Sequence, residues 1–172
     1  MDRSLILLYI VTLFFLPIEN SKEDISIDLN FSLHKLFDDK DNSFQLIENK
    51  KKEYKLILVV DGDCSICVSN LSKFEKRITT YGVTTDKCIS FAIVQTSFLV
   101  RFEYIVENNK INCSFPIYID TDGLFFNLNS SLLNQKFECL LLDPSNKVVF
   151  MGSPTKNKED DKILSNLMSS IF

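Results

Sequence analysis

The segment from Tyr54 to Cys67 reads YKLILVVDGDCSIC. Residues 54–60 form a continuous run of mostly aliphatic and β-branched side chains, which is typical of a strand that is covered on both faces. The Asp-Gly-Asp turn that follows ends this strand. Two cysteines, Cys64 and Cys67, come directly after the turn.

An amphipathic helix is predicted after the turn. Apolar side chains recur at intervals of four, three and four residues, at Cys67, Leu71, Phe74 and Ile78. This spacing marks one buried helix face. Gly82 ends the helix. The CxxC pair is therefore predicted at the junction between a central strand and the helix that follows it.

The rest of the sequence continues this alternation of strands and helices. Strands are predicted over 88–94, 115–120, 137–142 and 147–151, a helix over 98–106, a short helix and loop over 124–133, and a final helix around 163–171. Residues 143–146, Asp-Pro-Ser-Asn, are suited to a hairpin turn. The alternation predicts an α/β domain with helices on both faces of its sheet.

The first 20 residues have a different composition and are predicted to be a signal peptide or an N-terminal anchor. The apolar run from Leu5 to Ile18 is shorter than the roughly 20 residues that span a bilayer. We therefore expect export, with membrane attachment only if this segment is not cleaved. Residues 21–53 are predicted to be an N-terminal extension with an edge strand at Ile25–Leu29, and residues 54–172 the domain itself.

Composition excludes several classes of function. A net charge of −4 and a pI near 5.0 argue against a nucleic-acid partner. The five cysteines are an odd number, which excludes a complete disulfide framework within the chain. The one histidine, His34, is predicted on a surface or strand edge, and a His-rich metal site is excluded. No cofactor is expected.

The two cysteines at the helix start are suited to redox chemistry. Free backbone N–H groups and the helix dipole favour a thiolate there, and they lower the pKa of such a thiol from about 8.5 to between about 3.5 and 7.5. Cys64 is predicted to be the exposed attacking thiol and Cys67, on the buried face, the resolving thiol. The alternative is a pair of ordinary core cysteines. A zinc site would need two further ligands, and no second CxxC or CxxH exists.

Three further cysteines, Cys88, Cys113 and Cys139, lie in or beside apolar strands. We expect them to be buried free thiols that behave as small hydrophobic side chains. A structural disulfide between two of them is the alternative, and the sequence does not select a pair.

Residues 56–60, the CxxC at 64–67, FPIYID at 115–120 and LLLDPSNKVV at 140–149 carry a family resemblance. Together they resemble the thioredoxin-like superfamily, in particular its exported TlpA/ResA-like, redoxin-type branch. The resemblance implies a three-layer α/β/α sandwich with a mixed central sheet. It also implies a dithiol that exchanges with the thiols and disulfides of partner proteins in the cell envelope.

Two departures from the family pattern affect the expected activity. The tryptophan that usually precedes the dithiol is replaced by Asp63, whose carboxylate is expected to oppose thiolate formation at Cys64. The family's cis-proline, which shapes the substrate groove, is expected near Phe137, yet residues 136–138 contain no proline. Altered substrate docking or weak exchange activity would follow.

The sequence supports one principal function and two alternatives. The principal hypothesis is an exported thiol–disulfide oxidoreductase of the periplasm or cell envelope that uses Cys64 and Cys67. The first alternative is a non-catalytic thioredoxin-fold binding module whose CxxC bridge is only structural. The second is a peroxidase, but peroxiredoxins carry a threonine where this chain has Asp61, and neither Arg77 nor Arg101 has an evident reason to approach the pair.

Overall fold

A computed structural model describes residues 25–36, 44–45, 53–83 and 87–171. The predicted signal peptide or anchor at residues 1–20 lies outside these ranges, as does part of the predicted extension. Among the helices within these ranges, none has the length and apolar character needed to cross a membrane.

The described residues form seven strands and four α-helices. The strands are β1 (Ser32–Lys35), β2 (Phe44–Gln45), β3 (Tyr54–Asp61), β4 (Cys88–Gln95), β5 (Ile117–Asp120), β6 (Cys139–Leu142) and β7 (Val148–Gly152). The helices are α1 (Ser65–Thr80), α2 (Leu99–Asn108), α3 (Leu124–Leu128) and α4 (Lys158–Ile171), and a 3-10 turn covers Ser130–Leu132. This order confirms the predicted alternation of strands and helices.

The strands make one mixed sheet in the order β2-β1-β5-β4-β3-β6-β7. The central strand β3 pairs in parallel with β4 and antiparallel with β6. β4 also pairs in parallel with β5, while β1 and the β6–β7 hairpin add antiparallel strands on either side. Parallel neighbours place the carboxyl ends of β3, β4 and β5 at one edge of the sheet, where the turn with the cysteines begins.

Both faces of the sheet are covered, which makes the sheet the middle layer of an α/β/α sandwich. One face packs against α1, α2 and α4 through buried side chains that include Phe74 and Phe102. The other packs against α3 and the residues before β1, including Phe125 and Ile27. Because β3 sends side chains into both clusters, its sequence is a continuous apolar run rather than an alternating one.

The N-terminal extension pairs with the sheet as a strand through residues 32–35 and not through residues 25–29. The alternation at Ile25–Leu29 predicts an edge strand, but these residues make only one bridge, between Ser26 and Lys147. The strand is β1 instead, which pairs with β5. Ile27 and Leu29 are buried against the second face of the sheet. Their alternation therefore reflects an extended segment that packs over the core rather than a paired strand.

The three cysteines outside the CxxC are free thiols, as expected. Cys88 and Cys139 are buried, and Cys113 is half-buried. Burial raises the pKa of Cys88 and of Cys113 to about 12, and it raises the pKa of Cys139 well above its ordinary value. At neutral pH these thiols stay protonated, so they do not compete with the CxxC pair as nucleophiles.

Candidate redox site

Cys64 is the N-cap residue of α1. Its backbone is extended, with φ −104° and ψ 106°, and its Sγ accepts a hydrogen bond from the backbone N–H of Cys67 at 3.3 Å. Its carbonyl accepts the first bond of the helix, from the N–H of Val68 at 3.0 Å. The sulfur therefore lies at the open amino end of α1, where free N–H groups and the helix dipole stabilise a negative charge. The first turn of α1 contains no acidic side chain.

Cys64 and Cys67 are joined by a disulfide, and their Cα atoms are 5.2 Å apart. The structure thus places the pair at the strand–helix junction that the sequence indicates. Both cysteines are half-buried, whereas the sequence predicts an exposed Cys64. Cys67 packs against the buried cluster that lies under α1. The exposed residues of this turn are Ser65 and Ile66, which lie between the cysteines.

A third chemically active group, the carboxylate of Asp61, lies beside the sulfurs. One of its oxygens and both Sγ atoms are all within 4.8 Å of one another. Asp61 ends β3, and its Oδ1 accepts a hydrogen bond from the N–H of Asp63 at 2.9 Å, which forms an Asx turn. From the sequence, Asp61 is only a mismatch to a peroxidase motif. Its approach to the sulfurs is not predictable, because residues on opposite sides of a turn share no periodic pattern.

The carboxylate of Asp63 is bound to the loop that follows β4. It accepts hydrogen bonds from the Thr96 hydroxyl at 2.6 Å and from the Ser97 N–H at 3.1 Å. These hydrogen bonds, the one from Thr96 above all, hold the pKa of Asp63 below its ordinary value. Asp63 therefore remains charged and ties the residue before Cys64 to the neighbouring loop.

Gly62 allows the turn to pack closely against β4. A Cβ atom at this position would lie 2.7 Å from Val94 Cγ1 and 2.9 Å from Thr96 Cβ. Both distances are well below the carbon–carbon separation of about 3.5–4.0 Å that favours contact. The Gly62 N–H also donates to the carbonyl of Gln95 at 2.8 Å. The missing side chain of Gly62 thus lets the turn that leads to Cys64 lie against the neighbouring strand, and the hydrogen bond holds it there.

A buried polar network connects α1 to the segment before β6. The carboxylate of Glu138 accepts hydrogen bonds from Asn70 Nδ2 at 3.3 Å and from the Thr155 N–H at 2.7 Å, and it pairs with Lys156 at 3.3 Å. Glu138 and Asn70 are both buried. Phe137, which occupies the position expected for proline, is half-buried and packs its ring against Phe126. The sequence did not predict this network, whose partners are far apart in the chain.

Exposed apolar side chains lie between the two cysteines and at the start of α2. Ile66, between the two cysteines, is 75% exposed, and Val100 at the start of α2 is 80% exposed. Val100 and Phe98 help to line a surface pocket of about 600 Å³. The pocket also includes Ser97, whose N–H binds the carboxylate of the residue before Cys64. Clusters of exposed apolar side chains are typical of surfaces that bind a partner.

The two arginines of the peroxidase hypothesis have different positions. Arg77 lies in the last turn of α1, at the end remote from Cys64, and forms an ion pair with Asp161 of α4. It therefore does not serve the sulfurs. Arg101 lies close enough to Asp63 to help lower its pKa. Its position near the turn is the one feature of that hypothesis that the structure brings toward the pair.

A central strand that leads into a CxxC pair at the amino end of a helix, within an α/β/α sandwich, is the arrangement of thioredoxin-like proteins. This chain has the thioredoxin-like fold with a CxxC pair at residues 64–67. No protein-family model matches its sequence, and no curated protein matches it. Solved structures do match it over most of its length.

Three of these structures illustrate the likeness. The thioredoxin domain of a thiol-disulfide oxidoreductase from Bacteroides vulgatus is 15% identical, with a TM-score of 0.59, over 87% of this chain and 98% of that one. A thiol:disulfide interchange protein from Bacteroides sp. is 16% identical, with a TM-score of 0.59, over 86% and 88%. A secreted Mycobacterium tuberculosis disulfide oxidoreductase homologous to E. coli DsbE is 14% identical, with a TM-score of 0.54, over 83% and 96%. At such identities the likeness establishes the fold.

The buried network under α1 generates a prediction about stability. Glu138→Ala should lower the free energy of unfolding by about 1–3 kcal/mol, because the buried amide of Asn70 loses its acceptor. Urea unfolding of the oxidised chain, followed by circular dichroism, measures this loss. Glu107→Ala removes an exposed carboxylate from α2 and should change the same quantity by less than about 0.5 kcal/mol. Equal effects of the two substitutions would show that the network contributes nothing.

Proposed function

We propose that this chain is an exported thiol–disulfide oxidoreductase that acts on the thiols and disulfides of other proteins in the cell envelope. Cys64 is the nucleophile and Cys67 the resolving thiol. The observation that carries the proposal is the position of Cys64 as the N-cap of α1, with its sulfur at the open end of the helix. A thiolate there is stabilised by the N–H groups and by the helix dipole.

The exchange transfers one electron pair and conserves the disulfide count. The Cys64 thiolate attacks one sulfur of a partner disulfide, the partner S–S bond breaks, and the second partner sulfur leaves as a thiolate that takes up a proton. The Cys67 thiol then loses its proton and attacks Cys64 Sγ. The mixed disulfide breaks, the partner is released as a dithiol, and the Cys64–Cys67 disulfide forms. The reverse sequence of steps oxidises a partner dithiol.

Protein partners are supported by the surface around the pair. A partner cysteine must reach the half-buried sulfur of Cys64, and Ile66, two residues further along the chain, is apolar and exposed. The pocket lined by Phe98 and Val100 at the start of α2 offers a further apolar surface, and it includes Ser97, whose N–H binds the Asp63 carboxylate. A polypeptide with apolar side chains beside its cysteine would bury them here and gain hydrophobic free energy.

Export is proposed from the apolar segment at residues 1–20. Its run from Leu5 to Ile18 has the length of a signal-peptide core. One of the similar structures, the disulfide oxidoreductase from Mycobacterium tuberculosis, is described as secreted. Outside the cytosol a close cysteine pair such as Cys64 and Cys67 can be held oxidised, as thiol–disulfide exchange with partner thiols requires.

The second candidate function is a binding module whose Cys64–Cys67 bridge is structural. The position of Asp61 favours this candidate, because a carboxylate within 4.8 Å of the sulfurs opposes their ionisation. The proline-free segment at residues 136–138 favours it as well, since the family's substrate groove is shaped by that proline. The two functions differ in whether the Cys64–Cys67 disulfide exchanges with the thiols of a partner protein.

Trapping of a mixed disulfide separates the two candidates. In the Cys67→Ser variant the attack by Cys64 cannot be resolved, so a peptide that contains one disulfide should form a stable one-to-one adduct through Cys64. Intact-mass spectrometry detects the adduct and peptide mapping locates it. Cys64→Ser should give no such adduct, because Cys67 packs against the buried cluster under α1 and Cys64 alone caps the helix.

The matched control is Cys113→Ser, which removes a half-buried thiol with a pKa raised to about 12 and should leave exchange by the otherwise native chain unchanged. If the Cys67→Ser variant forms no adduct with the peptide while it remains folded, the oxidoreductase proposal fails and the binding module is favoured.

Export is tested by comparing the full chain with a variant that lacks residues 1–20. After expression in a secretory host, the full chain should be found outside the cytosol and the truncated chain inside it. Intact mass of the exported chain shows whether the segment has been cleaved or retained. The same cytosolic location for both chains would contradict export.

A further inference from the structure

Three potential metal ligands converge at the CxxC turn. Asp61 supplies a carboxylate oxygen from the end of β3, and Cys64 and Cys67 supply sulfurs from the start of α1. All three atoms lie within 4.8 Å of one another, and no other group of three metal-ligating side chains of this kind occurs in the part of the chain that the structure describes. From the sequence alone a zinc site at this pair lacks two ligands. The fold supplies one of them.

We propose that the reduced chain binds one Zn²⁺ through Cys64, Cys67 and Asp61, with water in the fourth position. Zinc is favoured by this set of ligands, because two thiolates suit a borderline-soft cation and a carboxylate is an accepted third ligand. Three protein ligands and one water make an open tetrahedral site. Such a site would occupy both sulfurs and hold the dithiol out of exchange until the metal leaves.

The distances fit a tetrahedral ion once the disulfide is reduced. Zinc bonds of about 2.3 Å to sulfur and about 2.0–2.2 Å to oxygen separate the ligand atoms by about 3.5–3.8 Å. The present spread of up to 4.8 Å therefore requires only small side-chain movements. The backbone is already fixed, because Gly62 packs against β4 and donates a hydrogen bond to Gln95.

The electrostatics of the turn also favour a cation. When the disulfide is reduced, up to two thiolates and one carboxylate share this small volume, and their repulsion is relieved by a divalent ion. Asp61 has one oxygen bound to the Asp63 N–H, and it makes no ion pair with a described side chain. It is also exposed, so it can turn toward a metal without leaving a buried partner unsatisfied.

The binding step balances without a further reactant. The reduced pair carries at most two S–H groups. Zinc forms two Zn–S bonds and one Zn–O bond, each S–H bond that is still present breaks, and its proton goes to solvent. The proposal rests on the proposed function only in that the disulfide must be reducible by a dithiol or phosphine. In that step the S–S bond breaks and the reductant is oxidised.

Zinc titration of the full chain tests the proposal. The chain is reduced with a water-soluble phosphine, freed of reductant under nitrogen, and titrated with Zn²⁺ in competition with a chromophoric chelator. We expect one Zn²⁺ per chain with release of up to two protons, and no binding by the oxidised chain. Co²⁺ in the same site should show the sulfur-to-metal charge-transfer absorption of a thiolate complex.

Asp61→Asn is the decisive variant. It should weaken zinc binding at least about 10-fold, the lower limit reported for loss of even an outer-shell contact. Asp122→Asn makes the same chemical change at an exposed aspartate outside the ligand group, and it should leave the affinity within about twofold. Circular dichroism of the oxidised variants shows that both are folded.

Equal zinc affinity of the native and Asp61→Asn chains would overturn the proposal, as would zinc binding that persists in the oxidised chain or is absent from the reduced one. The outcome is independent of the trapping experiment. Zinc binding without a peptide adduct would contradict the oxidoreductase alone, and an adduct without zinc binding would contradict the metal site alone.

Discussion

The turn between β3 and α1 has no room for a side chain at Gly62, because Val94 and Thr96 of the neighbouring strand and loop occupy the space. This steric constraint fixes where β3 ends and where α1 begins. As a result Cys64 becomes the N-cap of the helix, and Cys67 lies over the buried cluster beneath it. The activation of Cys64 by the helix start and the packing of Cys67 both follow from these two positions.

Two opposing electrostatic effects act on the sulfurs. The free N–H groups and the dipole of α1 favour a thiolate at Cys64, and no acidic residue in the first turn cancels them. The carboxylate of Asp61, within 4.8 Å, opposes it. Asp63 lies next to Cys64 in sequence, but its carboxylate is held by Thr96 and Ser97. The balance between helix and Asp61 distinguishes an exchanging dithiol from a structural bridge, and a bound cation would change that balance.

The sequence predicted those features that depend on local pattern. The apolar run of β3 and the spacing of Leu71 and Phe74 on α1 each reflect burial of contiguous residues, and the structure shows both as expected. The CxxC could be placed because it follows a strand and begins a helix. The edge strand predicted at Ile25–Leu29 was wrong, since an extended segment that packs over a sheet shows the same alternation as a strand that pairs with it.

The sequence could not predict contacts that cross turns or long stretches of chain. Asp61 approaches the sulfurs only because the turn reverses the chain direction. Glu138 reaches Asn70 only because β6 pairs beside β3, which brings the residue before β6 next to α1. Neither of these two contacts produces a periodic pattern in the sequence. Both contacts depend on three-dimensional packing, and both bear on how the site works, one through charge and the other through the position of the helix.

The most direct test of the account is the rate at which each cysteine of the reduced, folded chain reacts with iodoacetamide at pH 7, followed by peptide mass spectrometry. Cys64 should react fastest, and faster than a cysteine in an unstructured peptide, because the helix start raises its thiolate fraction. Cys88, Cys113 and Cys139 should react slowly, since burial raises the pKa of each of their thiols. A Cys64 that reacts no faster than the peptide would contradict the central claim that the amino end of α1 activates this sulfur.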